Sequence, residues 1–149
     1  MKGLSRGVIW FNRLVLTAAT LIMTAIAIRQ LRDPIGATAA LGIVLASPTA
    51  VTVARVGFGG FPLGFAIALC GCLISTKRLL TGVSLLAAVV GAATLARIQG
   101  LVLDGVTPYN SALLRPEFAL LLLSAIGIAL ERRRVSSDPD RGSLSGSAS

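Results

Sequence analysis

Residues 81–103 read TGVSLLAAVVGAATLARIQGLVL, a run in which Arg97 is the one charged side chain. An α-helix needs roughly 20 predominantly apolar residues to cross the hydrocarbon core of a bilayer. This stretch has the length and the composition. The pattern recurs at about 8–28, interrupted by Asn12 and Arg13, at 48–75 and at 112–131. Four such runs in a chain of 149 residues leave almost nothing from which to build a water-soluble domain.

The composition agrees. Hydrophobic residues make up 54% and charged residues 13% of the chain, with a mean hydropathy of +0.84. An ordinary soluble domain is about 25% charged. Aromatics are 5%, so the apolar mass is Leu, Ala, Val and Ile with 16 Gly, the mixture that lets helices approach closely in lipid. The expected fold is all-α, an integral-membrane four-helix bundle forming one domain over residues 1–134. Residues 135–149, rich in Ser and with little apolar surface to bury, are expected to be a disordered polar tail.

A net charge of +8 and a pI near 11.3 suggest nucleic acid at first sight. The basic residues flank apolar runs instead of lining a polar face, so they are read as topology signals and nucleic acid is set aside. Lys2, Arg6, Arg13, Lys77, Arg78, Arg132, Arg133, Arg134 and Arg141 fall on one side of the four spans. Arg29, Arg32, Arg55, Arg97 and Arg115 fall on the other, nine against five of the 14. The richer side is expected to be cytoplasmic, which places both termini there and the protein in the inner (plasma) membrane. The competing reading of the first run as a signal peptide, with Lys2, Arg6 and Arg13 before it and Ala25-Ile26-Ala27 at its end, leaves no soluble domain to export.

The sequence contains no His, which removes the commonest metal ligand and general base. Cys70 and Cys72, two apart on a helix, point in nearly opposite directions and do not suit one metal ion. No metal and no cofactor is expected.

Two helix starts of the same form lie between the first and second runs. Asp33-Pro34 and Ser47-Pro48 each put a capping side chain before a proline at the first helical position. The first start predicts a short helix over about 34–41, stopped by Gly42 and lying at the outer membrane interface. The second opens the second span. Inside that span Pro62 removes the hydrogen bond to the Phe58 carbonyl and predicts a kink. Gly57, Gly60, Gly64 and Gly71, with Ala68, recur at three- and four-residue spacing and predict a stripe against which another helix packs.

The candidate site consists of ionisable residues in the spans, where each costs roughly 2.5–3.5 kcal/mol on insertion scales and is normally turned inward and paired. Arg55, Arg97, Asp104 and Glu117 all fall near the outward end and form a candidate polar cluster. It either locks the helix ends through internal pairing or holds an anionic lipid headgroup or small anion between its arginines. Tyr109 and Asn110 are candidates to border it. Thr17, Thr20 and Thr24 share a face of the first helix, lining a polar path or bonding back to the preceding turn.

Over residues 8–131 the chain resembles the domain of unknown function 4345 family of small bacterial membrane proteins. The resemblance rests on Asp33-Pro34, Arg55 with Gly59-Gly60, Arg97 and Gly100 with Asp104-Gly105, and Pro116-Glu117. It implies a four-helix inner-membrane protein with no established activity. The leading functional expectation is therefore a non-enzymatic membrane protein that binds a small anionic ligand or lipid headgroup. A small transporter, or an accessory subunit associating with itself or a membrane partner, is the alternative. A membrane enzyme would have to use Asp104 or Glu117 without His and without a recognisable nucleophile nearby.

Overall fold

The computed structural model of the chain describes residues 2–106 and 108–136, with the side chains of 6–106 and 111–136. Among them there is no strand. The order is α1 (Lys2–Arg32), α2 (Pro34–Ala39), α3 (Pro48–Ala54), a π-helical turn (Arg55–Gly60), α4 (Phe61–Leu73), a 3-10 turn (Thr76–Arg78), α5 (Leu79–Leu103) and α6 (Pro108–Ser136). Four helical stretches are long and apolar enough to cross a membrane. They form a four-helix bundle in which α1 packs against α4, α5 and α6, and α5 against α4 and α6. α1 and α5 thus make the short diagonal, with α4 and α6 at the outer corners.

The caps read from sequence form as expected. The Gly36 N–H donates to Asp33 Oδ1 at 2.9 Å and the Ala50 N–H to Ser47 Oγ at 3.1 Å, with Pro34 and Pro48 opening their helices. Helix α2 ends at Ala39, two residues short of the expected end. Gly42 then takes φ +76, and the Ile43 N–H reaches back to the Thr38 carbonyl at 3.0 Å, the arrangement in which a left-handed glycine closes a helix.

Three of the helices extend beyond their expected bounds. The first helix runs from Lys2 to Arg32 instead of 8–28, the third starts at Leu79 instead of 81, and the fourth covers Pro108–Ser136 instead of 112–131. Polar flanks continue a helix at little cost once they leave the apolar layer, so hydropathy underestimates its length. Pro116 lies inside α6, and Glu117 is consequently in the third turn, not the first. Val135 and Ser136, assigned to the tail, are the last turn of α6; the rest of the tail, 137–149, lies outside the described residues.

The disturbance at Pro62 takes a specific form. The helix does not break; its backbone widens into a π turn, in which the Phe61 N–H bonds the Val56 carbonyl five residues back. The second span, expected over 48–75, therefore runs continuously from Pro48 to Leu73.

The core is built from Val15, Leu16 and Ala19 of α1, Leu69 of α4, and Leu79, Val83, Leu86 and Val90 of α5. Among the described residues, the stripe expected from sequence is open. A Cβ on Gly57, Gly64 or Gly71 meets nothing within 4 Å, and one on Gly60 meets only the Arg55 carbonyl at 3.9 Å. Among the described residues no other helix lies within 4 Å of them. Close approach occurs instead at Gly59, where a Cβ would come within 2.9 Å of Leu31, at Gly82, 2.8 Å from Cys72 Cβ, and at Gly127, 2.4 Å from Asn12 Oδ1.

Candidate functional site

Of the four charged residues picked out by sequence, the structure brings two together. Arg97 of α5 grips Glu117 of α6 with two parallel bonds, Nε to Oε2 at 2.9 Å and Nη2 to Oε1 at 2.7 Å. This bidentate geometry is the strong form of the pair. Its side chains keep 24% and 21% of their surface exposed, so the pair sits at the edge of the bundle and clamps α5 to α6.

Arg55 and Asp104 are not part of it. Both are exposed, and among the described residues no ion pair joins either to Arg97 or Glu117. The topology separates Arg55: its turn packs on α1, α3 and α4, away from α6. Asp104 caps the C-terminus of α5, its backbone N–H bonded to the Gly100 carbonyl, just before Gly105 takes φ +92 and ends the helix. The side chains of Tyr109 and Asn110 lie outside the described residues.

A second polar cluster, not anticipated from sequence, occupies the other end of the bundle. Glu131 of α6 is 1% exposed and Asn12 of α1 is fully buried. Asn12 Nδ2 donates to Glu131 Oε2 at 3.1 Å and to the Gly127 carbonyl at 3.4 Å. Arg134, one turn on, donates from Nε to Glu131 Oε1 at 3.0 Å, pairs with it again through Nη2, and reaches the Thr76 carbonyl at 3.3 Å. One carboxylate thereby ties together α1, α6 and the turn between α4 and α5. Asn12 Oδ1 remains without a hydrogen-bond partner.

A signal for this cluster was present. Glu117, Ser124 and Glu131 recur every seventh residue, which puts them on nearly one face of a helix and spaces the two carboxylates about 21 Å along it. Treating Glu131 as the end of the fourth span hid it, because the helix runs on to Ser136.

Several hydroxyls, Thr20 of the first helix among them, are taken up by the preceding turn of their own helix. Thr20 donates to the Leu16 carbonyl, Thr94 to that of Val90 and Ser124 to that of Leu120, at 2.7–2.8 Å, each bonding within its own helix. Cys70 is exposed and Cys72 buried. Among the described residues no group of three or more His, Cys, Asp and Glu side chains is placed to hold a metal ion. Chemically, Glu117 and Glu131 are engaged by arginines, and exposed cations lie at both ends of the bundle, Lys77, Arg78 and Arg132 at one, and Arg115 and the group on the side of α1 and the π turn at the other. There Arg29, Arg32 and Arg55 are exposed, while Asp33 is taken up in capping α2. No family model matches the chain, no curated protein matches it, and no solved structure matches it.

Proposed function

We propose that the chain is a non-enzymatic multi-pass protein of the bacterial inner membrane, both termini cytoplasmic, that holds an anionic lipid headgroup at its outward end. The observation that carries this reading is Arg55, an exposed guanidinium that makes no ion pair among the described residues, at the end of the bundle where Arg29 and Arg32 are also exposed. A phosphate there gains charge-assisted hydrogen bonds without displacing an internal partner. Arg97 has its carboxylate already, and its part is to hold α5 on α6.

The test is retention of acidic lipid on the purified protein, followed by native mass spectrometry in mixed phosphatidylglycerol and phosphatidylcholine. Arg55→Gln should remove the preference for phosphatidylglycerol, whereas Arg97→Gln should leave the preference and lower stability. An unchanged preference in Arg55→Gln would sink the reading. Orientation is tested separately: reporters fused after Lys77 and Arg134 should report cytoplasm and one after Val106 the outer side.

The transporter alternative draws on the recurrence of Glu117, Ser124 and Glu131 along α6. It requires flux in proteoliposomes that Glu131→Gln abolishes.

A further inference from the structure

Arg13 lies inside the first apolar helix, is half-buried, and makes no hydrogen bond or ion pair among the described residues. Its Nε is covered by the bundle and has nothing to donate to, which leaves the tip of the guanidinium as the part that reaches the surface. A cation within a span is normally turned inward and paired, as Arg97 is with Glu117 and Arg134 with Glu131. Arg13 departs from that pattern. Glu131 is the one acid at this end of the bundle among the described residues, and its two oxygens are already bonded by Asn12 and Arg134.

The packing fixes the depth of Arg13. A Cβ on Gly82 would come 2.9 Å from the Leu16 side chain and 2.8 Å from Cys72 Cβ, so α1, α5 and α4 are level at these three residues. One turn nearer the end of the bundle, α1 has reached Arg13, and the other two helices have reached the turn Thr76–Arg78 that joins them. Trp10 stands one further turn out, on the same side of α1 as Arg13, and is 69% exposed. Tryptophan rings on the outside of membrane helices collect at the headgroup level. Arg13 is thus one helical turn, roughly 5 Å, below that level, a distance that an arginine side chain spans.

We infer that Arg13 holds the phosphodiester of a phospholipid in the leaflet at this end of the bundle. The chain supplies no free carboxylate for this guanidinium, whereas every phospholipid carries an anionic phosphate at the depth its tip reaches. Two N–H groups of a guanidinium match two phosphate oxygens. The recognised group is the one that phosphatidylglycerol and phosphatidylcholine share, so this site holds either lipid. It lies at the opposite end from Arg55 and does not depend on the headgroup reading there.

Trp10 is the one tryptophan of the chain, which makes it a reporter for a lipid held one turn away. Full-length protein is placed in vesicles of digalactosyl-diacylglycerol, a lipid without phosphate. Its fluorescence is quenched by mixing in phosphatidylcholine brominated in its acyl chains or, in parallel, the galactolipid brominated in the same way. Brominated phosphatidylcholine should occupy the position beside Trp10 with about fivefold preference over the galactolipid, the order expected of a partly hydrated charge-assisted contact. This measurement on the wild type needs no variant to fold. Arg13→Gln should bring the two quenchers to equality, with Tm unchanged or higher because no internal partner is lost.

Equal quenching by the two lipids in wild type overturns the site and leaves Arg13 merely hydrated. A preference that survives in folded Arg13→Gln overturns it as well, since the phosphate is then recognised by another group. Inorganic phosphate added to the wild-type vesicles should leave the preference intact; if it abolishes the preference, the site takes a free anion and the lipid assignment is lost.

Discussion

The two ends of the bundle solve the same problem, an arginine and a glutamate in an apolar protein, at different depths. At one end the Arg97–Glu117 pair bridges α5 and α6 with about a fifth to a quarter of each side chain exposed. At the other, Glu131 is 1% exposed, and its two oxygens are divided between Asn12 of α1 and Arg134 of its own helix. A partly exposed pair keeps much of its hydration and loses little when one member is removed. A carboxylate with no access to solvent has its stability set by its partners, since taking one away leaves a charge that nothing else compensates.

The largest effect is therefore expected where the carboxylate is deepest. Arg134→Gln should cost about 3–5 kcal/mol, because it strands Glu131, and thermal unfolding in detergent should show it as a large drop in Tm. A wild-type Tm in this variant would mean that Asn12 alone suffices.

Next comes the backbone approach that serves the same cluster. Gly127→Ala places a methyl group 2.4 Å from Asn12 Oδ1. Asn12 is fully buried and tied to both Gly127 and Glu131, so it has little room to retreat. The expected loss is about 1–3 kcal/mol, read by the same unfolding assay, and the contact is refuted if alanine is accepted without loss.

At the shallower end, Arg97→Gln or Glu117→Gln should each cost about 1–2 kcal/mol, as for a charge-assisted pair that is still partly hydrated. Replacing both residues by apolar ones of similar volume should recover much of that loss. A double-substitution cycle with no coupling between them would remove the clamp from the account.

The smallest effect belongs to the open glycines. Gly64→Ala adds a methyl group to empty space and removes the glycine penalty of a helix interior, so stability should stay equal or rise by at most about 1 kcal/mol. A marked loss of Tm would show that something in the purified protein packs on that face. Set beside Gly127→Ala, the same chemical change is thus expected to act in opposite directions at the two sites.

The contrast between these glycines also marks how far the chain could be read in one dimension. Four apolar runs of spanning length, the Asp33 and Ser47 caps, the prolines that follow them and the stop at Gly42 are local features. Each is decided by neighbours within a few residues, so helix number and most connections were legible in the sequence. The candidate site was legible only in part. Arg97 and Glu117 meet, but Arg55 is held away by the packing of its turn on α1, and Glu131 was hidden by a helix that outruns its apolar segment.

What the sequence determined by itself is the set of helices, because apolar length and backbone hydrogen bonding need no tertiary partner. Which faces of those helices meet was decided by the tertiary structure alone. Helices α4 and α5 are apolar nearly all round and carry no polar stripe to say which side turns inward. Small residues lie both on packed faces and on open ones, so Gly60-x-x-x-Gly64 and the lone Gly127 cannot be ranked from their spacing. Only with α1 placed between α4 and α6 does Asn12 find Gly127 and Glu131, while the more conspicuous glycine motif is left open beside the π turn.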